Sequence, residues 1–178
     1  MKLIDTYFKH VEFYENKYGE KTIVLMQVGA FFEVYGKKHK TIDGIFGSKI
    51  TEFCNICDLN ISEKAKVTVN KKVENNRTIK CNVLMAGFRD FVCDKYIQKL
   101  NSAGYTCVIF TQNEENPSAE RELSQIITPG TFFNEDTNIS SNNIMVISLY
   151  HKKPSKIMGN KNNTFHYGIA NIDILSGE

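Results

Sequence analysis

Hydrophobic and polar residues follow two periods along this chain, and the switches between them mark its elements. Tyr7, Phe8, Val11 and Tyr14 recur at spacings of three and four among charged residues, so Ile4 to Lys17 predicts an amphipathic helix ended by Gly19. Thr22 to Val28 is a nearly unbroken apolar, β-branched run, as expected of a strand covered on both faces. Gly29 and Ala30 interrupt it at a tight corner, and Phe31 to Gly36 resumes an extended pattern. Helical periodicity returns from Ser48 to Leu59 through Ile50, Phe53, Cys54 and Cys57.

Val67 to Met85 alternates about the polar turn Glu74 to Arg77 and predicts a hairpin ending in Gly87. Asp90 to Ala103 places Val92, Tyr96, Ile97 and Leu100 on one stripe and predicts a second core helix closed by Gly104; Tyr105 to Thr111 is another buried strand. Gln112 to Ala119 is a polar loop, and Glu120 to Thr131 is a core segment running into a Pro-Gly turn. Phe132 to Asn143 has the composition of a connector, and strands at Asn143 to Tyr150 and Thr164 to Leu175 follow. The order implies an α/β domain, a mixed sheet flanked by helices, over residues 1–131, a linker over 132–142, and over 143–178 an opening hairpin too small to be a domain alone.

Composition narrows the class without naming a role. The 178 residues are 42% hydrophobic and 24% charged, ordinary for a folded soluble chain. A formal charge of +2 is too small for bulk attraction to nucleic acid, so any such affinity must come from a local patch. Met1 to Tyr18 holds no apolar run suited to a signal peptide or a membrane span. With five cysteines, an odd set, this argues for reduced thiols in a cytosol-like or nuclear compartment.

The most informative signal is QVGAFFEVYG at Gln27 to Gly36, followed by LMAGF at Leu84 to Phe88, KYIQKLNSAGY, CVIFTQ and IITPGT. Together these motifs resemble the mismatch-recognition domain of the MutS family over roughly Tyr7 to Thr131, and NIDILSGE at Asn171 to Glu178 resembles a strand of that family's RNase-H-like connector domain. Ala30 stands where the family often has an acidic residue and Phe32 where it often has tyrosine. The resemblance implies a DNA-reading part of a mismatch repair protein, with Phe31 and Glu33 as the residues that meet the mismatch. It also implies duplex DNA with mismatches or lesions as partner, a second MutS-like subunit, and no membrane. ATP and Mg belong to a distant ATPase domain of the full-length family, so the fragment itself is expected to be non-catalytic, to hold no cofactor and, without the family's clamp arms, to bind DNA weakly.

The physical case is independent of the name. A phenylalanine on a rigid corner can wedge into a minor groove at a cost of a few kcal/mol per unstacked step, and a defective pair lowers that cost. Glu33, two residues on, shares the side of Phe31 if the stretch is extended, and so can reach the displaced base. The plainer reading makes Phe31 and Phe32 core aromatics and Glu33 a solvent carboxylate. Phosphate contacts can come from Lys37, Lys38 and Lys40 with His39, favoured by proximity to Phe31, or from Lys71, Lys72 and Arg77 with Lys80 at the hairpin, which otherwise form a solvated face.

Other constellations are weaker. The lone Cys54-Asn55-Ile56-Cys57 has no second pair at zinc-finger spacing, and both sulfurs fall on an apolar helix face, so no metal site is expected. Gly44 to Lys49 lacks phosphate-loop spacing and does not follow a convincing strand. The histidines are scattered. Asp173 in the terminal hairpin leaves an RNase-H-like nuclease as one alternative, and a protein-binding scaffold without DNA contact as another.

Overall fold

The computed structural model describes residues 2–72, 78–113, 121–131, 143–153 and 163–173, with the side chains of all but 2, 65–72, 78 and 79. Its elements are helix α1 (Lys2–Tyr18), strands β1 (Thr22–Val28), β2 (Phe31–His39) and β3 (Ile42–Phe46), helix α2 (Ile50–Cys57), strands β4 (Ser62–Lys72) and β5 (Thr78–Arg89), a 3₁₀ turn (Asp90–Val92), helix α3 (Cys93–Ser102), and strands β6 (Thr106–Thr111), β7 (Glu122–Ile127), β8 (Asn143–Lys152) and β9 (Thr164–Asp173). The contacts divide the chain into two units, Met1–Phe133 and Asn134–Glu178.

In the first unit the described strands form one mixed sheet in the order β4-β5-β2-β1-β6-β7, with β3 on β2. β1 lies parallel to β6 and antiparallel to β2, which puts the most apolar runs at its centre. Both faces are covered. Tyr7 of α1 donates to the Val24 carbonyl at 3.3 Å, and His10 stacks on Phe110 at 4.1 Å between ring centroids. On the other face Phe88 lies between Phe53 of α2 and Tyr96 of α3, while Asn101 of α3 reaches the Tyr105 carbonyl at 2.7 Å. Each large side chain fully buried here, such as Tyr7, Tyr35 or Phe53, contributes about 1.5–3 kcal/mol.

Four sequence expectations are revised. β3 was not anticipated: Gly44, at φ +87, interrupts a five-residue strand too short for a periodic signal, so the supposed phosphate-loop segment begins inside a strand. β5 does not stop at Gly87 but runs to Arg89, because this glycine marks a close approach: a Cβ there would collide with the Phe32 carbonyl oxygen of β2. The helix expected over Asp90 to Ala103 opens as a 3₁₀ turn, with Asp90 Oδ1 accepting from the Phe91 N–H at 2.8 Å. The segment before Pro129 forms β7 at the edge of the sheet, where Ile126 and Ile127 pack on the core and the rest is exposed.

The described residues of the second unit form the antiparallel pair β8–β9, in register from Asn143 opposite Asp173 to Lys152 opposite Thr164. Met145, Ile147, Leu149, Tyr167 and Ile169 are exposed on it. The expected linker over 132–142 and the hairpin tip at Glu74 to Arg77 lie outside the described residues.

Candidate nucleic-acid interface

The corner between β1 and β2 is a two-residue turn, with Val28 paired to Phe31 across it. Gly29 sits at φ +59 and Ala30 has no positive φ, the pattern of a type II′ hairpin turn, whose first central position suits glycine. The turn is held from outside. The Gly29 N–H donates to Gln112 Oε1 at 2.5 Å, and the Asp90 N–H donates to the Ala30 carbonyl at 3.0 Å. Gln112 N–H donates to Gln27 Oε1 at 2.9 Å, and Arg121 Nε donates to the Gln27 carbonyl at 3.1 Å. A backbone so tied from the residue after β6, the residue before β7 and the 3₁₀ turn is stiff, and its stiffness passes to Phe31.

Alternation along β2 separates the two phenylalanines. Phe31 is 42% exposed, whereas Phe32 is 6% exposed and packs toward Phe88. Arg89, paired with Phe31 across β2–β5, holds its guanidinium 5.6 Å from the Phe31 ring centroid. Phe91, 76% exposed, follows on the 3₁₀ turn. This end of the sheet therefore offers an aromatic ring, a cation stacked beside it and a second exposed ring.

Glu33 has the same parity as Phe31 but is not a solvent carboxylate. It is 7% exposed, its Oε2 accepts from the Tyr35 hydroxyl, and Lys64 Nζ lies 2.7 Å from the same oxygen. Burial, with the adjacent Glu33 carboxylate, pushes the Tyr35 phenol far above its ordinary range, so it stays a donor. Lys64 and Arg89 were not singled out from the sequence, because only the pairing of distant strands brings them to Glu33 and Phe31; Tyr35, two residues on from Glu33 along β2, meets it by alternation on the same strand.

The basic residues divide differently from their order in the chain. Lys37 and Lys38 stand toward the far end of β2 and Lys40 just past it, roughly 20–30 Å from Phe31 at strand rise, so sequence proximity does not become spatial proximity. Lys38 and Lys40 are exposed; Lys37 is half-buried, its ammonium 3.9 Å over the Phe8 ring. Lys37 also lines a groove with Glu12, Glu15 and Glu52, carboxylates that would repel a phosphate. Lys71 and Lys72 pair with Ile79 and Thr78, with side chains outside the described residues, as is the whole of Arg77.

Cys54 and Cys57 are buried on α2 as the periodicity implied, and burial pushes their thiols up to about 11 and about 12. Asp173 pairs with Asn143 at the end of the hairpin. Among the described residues there is no cluster of three His, Cys, Asp or Glu able to hold a metal ion, and no helix long and apolar enough to cross a membrane.

Residues 59–136 match the family model described as MutS domain I. The chain is 26% identical over 173 residues, 96% of its length and 14% of the relative's, to a mutS homolog of Acanthamoeba polyphaga mimivirus. It is 36% identical over 95 residues, 51% of its length and 11% of the relative's, to the DNA mismatch repair protein MutS of Fervidobacterium nodosum. With the protein of that name from Thermodesulfovibrio yellowstonii it shares 29% over 160 residues, 88% of the chain and 15% of the relative. The chain thus spans less than a fifth of the length of these relatives. The segment matched by the family model holds Lys64, Gly87 and Arg89, while Phe31 and Glu33 precede it.

Proposed function

Given that this chain carries domain I, the DNA-recognition part, of a MutS-family mismatch repair protein, we propose that it reads mispaired or lesioned duplex DNA by inserting Phe31 from the minor groove, with Glu33 meeting the edge of the displaced base. The observation that carries this reading is the exposed Phe31 ring on a corner tied down from both sides. One base-aromatic stack returns about 1–3 kcal/mol, close to the cost of unstacking a sound step, so matched DNA breaks even and a weakened site binds. Discrimination then comes from the deformability of the site, and Arg89 beside the ring supplies a cation for the flanking backbone.

The domain performs no chemistry of its own and takes no cofactor; ATP and Mg serve other domains of the full-length protein. Its partners are mismatched duplex DNA and a second MutS-like subunit, and 132–142 link it to the opening hairpin of a connector domain. Of the lysines, Lys38 and Lys40 meet backbone only where the duplex extends along β2.

The test is Phe31→Ala in the longest polypeptide carrying these residues, titrated against matched and mismatched duplexes at one salt concentration. Loss of about 1–3 kcal/mol, or roughly 5- to 150-fold, on the mismatched duplex alone is expected. An equal loss on both duplexes would leave Phe31 without a reading role.

A further inference from the structure

Both donors to Glu33 meet the same oxygen. The Tyr35 hydroxyl donates to Oε2, and Lys64 Nζ lies 2.7 Å from Oε2 and 3.2 Å from the Tyr35 oxygen, with its ammonium 4.7 Å from the Tyr35 ring centroid. Oε1 takes no hydrogen bond from the described residues. The carboxylate therefore has a direction, one oxygen anchored and the other an open acceptor.

Local backbone makes this possible. Lys64 lies on β4, 31 residues beyond Glu33, where the β4–β5 pairing loses register between Glu63 and Thr68. Between these strands runs β5, which carries Gly87 opposite Glu33, so no side chain from that position competes for the carboxylate. Lys64 keeps a quarter of its side chain exposed, whereas Glu33 is nearly covered.

We propose that Lys64 is the positioning residue of the Glu33 reading group: it fixes Oε2, offsets a charge that phosphates would repel, and leaves Oε1 to accept an N–H from the edge of a displaced base. The inference rests on the insertion reading given above. It sets Lys64 apart from an ordinary phosphate contact, because its effect must pass through Glu33. A cation held by a buried carboxylate is also oriented by it, so each partner fixes the other.

The test is a double-mutant cycle in the longest polypeptide carrying these residues, read by fluorescence anisotropy with a fully paired duplex and one bearing a single unpaired thymine. Lys64→Met should weaken binding of the unpaired-thymine duplex about tenfold, the worth of one hydrogen bond to a charged group, and change the paired duplex far less. In a Glu33→Gln background the same substitution should add almost nothing. Lys64→Gln, which keeps a donor, should lose less than Lys64→Met, and thermal melts confirm that both variants fold. Equal weakening of both duplexes, whether residue 33 is Glu or Gln, would make Lys64 a phosphate contact and overturn the proposal. Failure of the unsubstituted protein to distinguish the duplexes would instead overturn the insertion reading, and this inference with it.

Discussion

Phe31 and Phe32 are adjacent and chemically identical, yet β2 turns one outward and one inward, so truncating each should have opposite consequences. Phe32 is 6% exposed and packs toward Phe88, and a buried Phe→Ala change costs about 3–5 kcal/mol through lost transfer energy and a residual cavity. For a unit the size of Met1–Phe133 that lowers the melting temperature by roughly 10–25 °C, at about 3–5 °C per kcal/mol. Phe31 is 42% exposed, so its ring forfeits only about half the burial of a core phenylalanine, about 1 kcal/mol and a few degrees. The chain has no tryptophan, so the melts are followed by far-UV circular dichroism, with duplex anisotropy measured on the same preparations. Phe31→Ala should melt near the parent temperature and lose mismatch preference, while Phe32→Ala should melt far lower and, below its transition, keep the preference. Comparable destabilisation by the two substitutions would refute the assignment of faces on β2, and with it the exposed wedge.

Two further outcomes follow from the same geometry. Glu33→Ala should raise the affinity for matched relative to mismatched duplex, since a carboxylate that penalises sites offering no base edge is gone; an unchanged ratio in competition titrations would remove Glu33 from selectivity. Burial holds the thiols of Cys54, Cys57 and Cys93 at about 11, about 12 and about 12, above the ordinary value of 9.0. The folded state thus binds their protons more tightly than the unfolded state, and their contribution is complete below pH 9 and lost as pH rises through 11 to 12. Urea midpoints should fall across that window, less steeply in Cys57→Ala, and a thiol reagent at pH 8 should react slowly until denaturant is added; fast native reaction would contradict the burial.

The elements with strong periodicity were legible from residues alone. The apolar run at Thr22 to Val28 became β1 with the same bounds, and Tyr7, Val11 and Tyr14 do line the buried stripe of α1. What escaped were features set by pairing between distant strands. Gly87 reads as a hairpin end in one dimension, yet it is a contact point between β2 and β5 in three. Glu33 reads as a solvent carboxylate or a free reading group until Lys64 arrives from an irregular stretch of β4. The lysines after the motif are near Phe31 in sequence, but an extended strand carries them away from it, whereas Arg89, distant in sequence, is brought beside it by register.

The parallel pairing of β1 with β6 also governs the order in which the molecule can assemble. Gln112, which braces Gly29, is separated from it by 83 positions, so the corner cannot acquire its rigidity until nearly the whole first unit has been made and brought together. Closing so long a loop is slow compared with forming α1 or the β1–β2 hairpin. The phenylalanine tip therefore reaches its braced form only once β6 and the residue that follows it have joined β1.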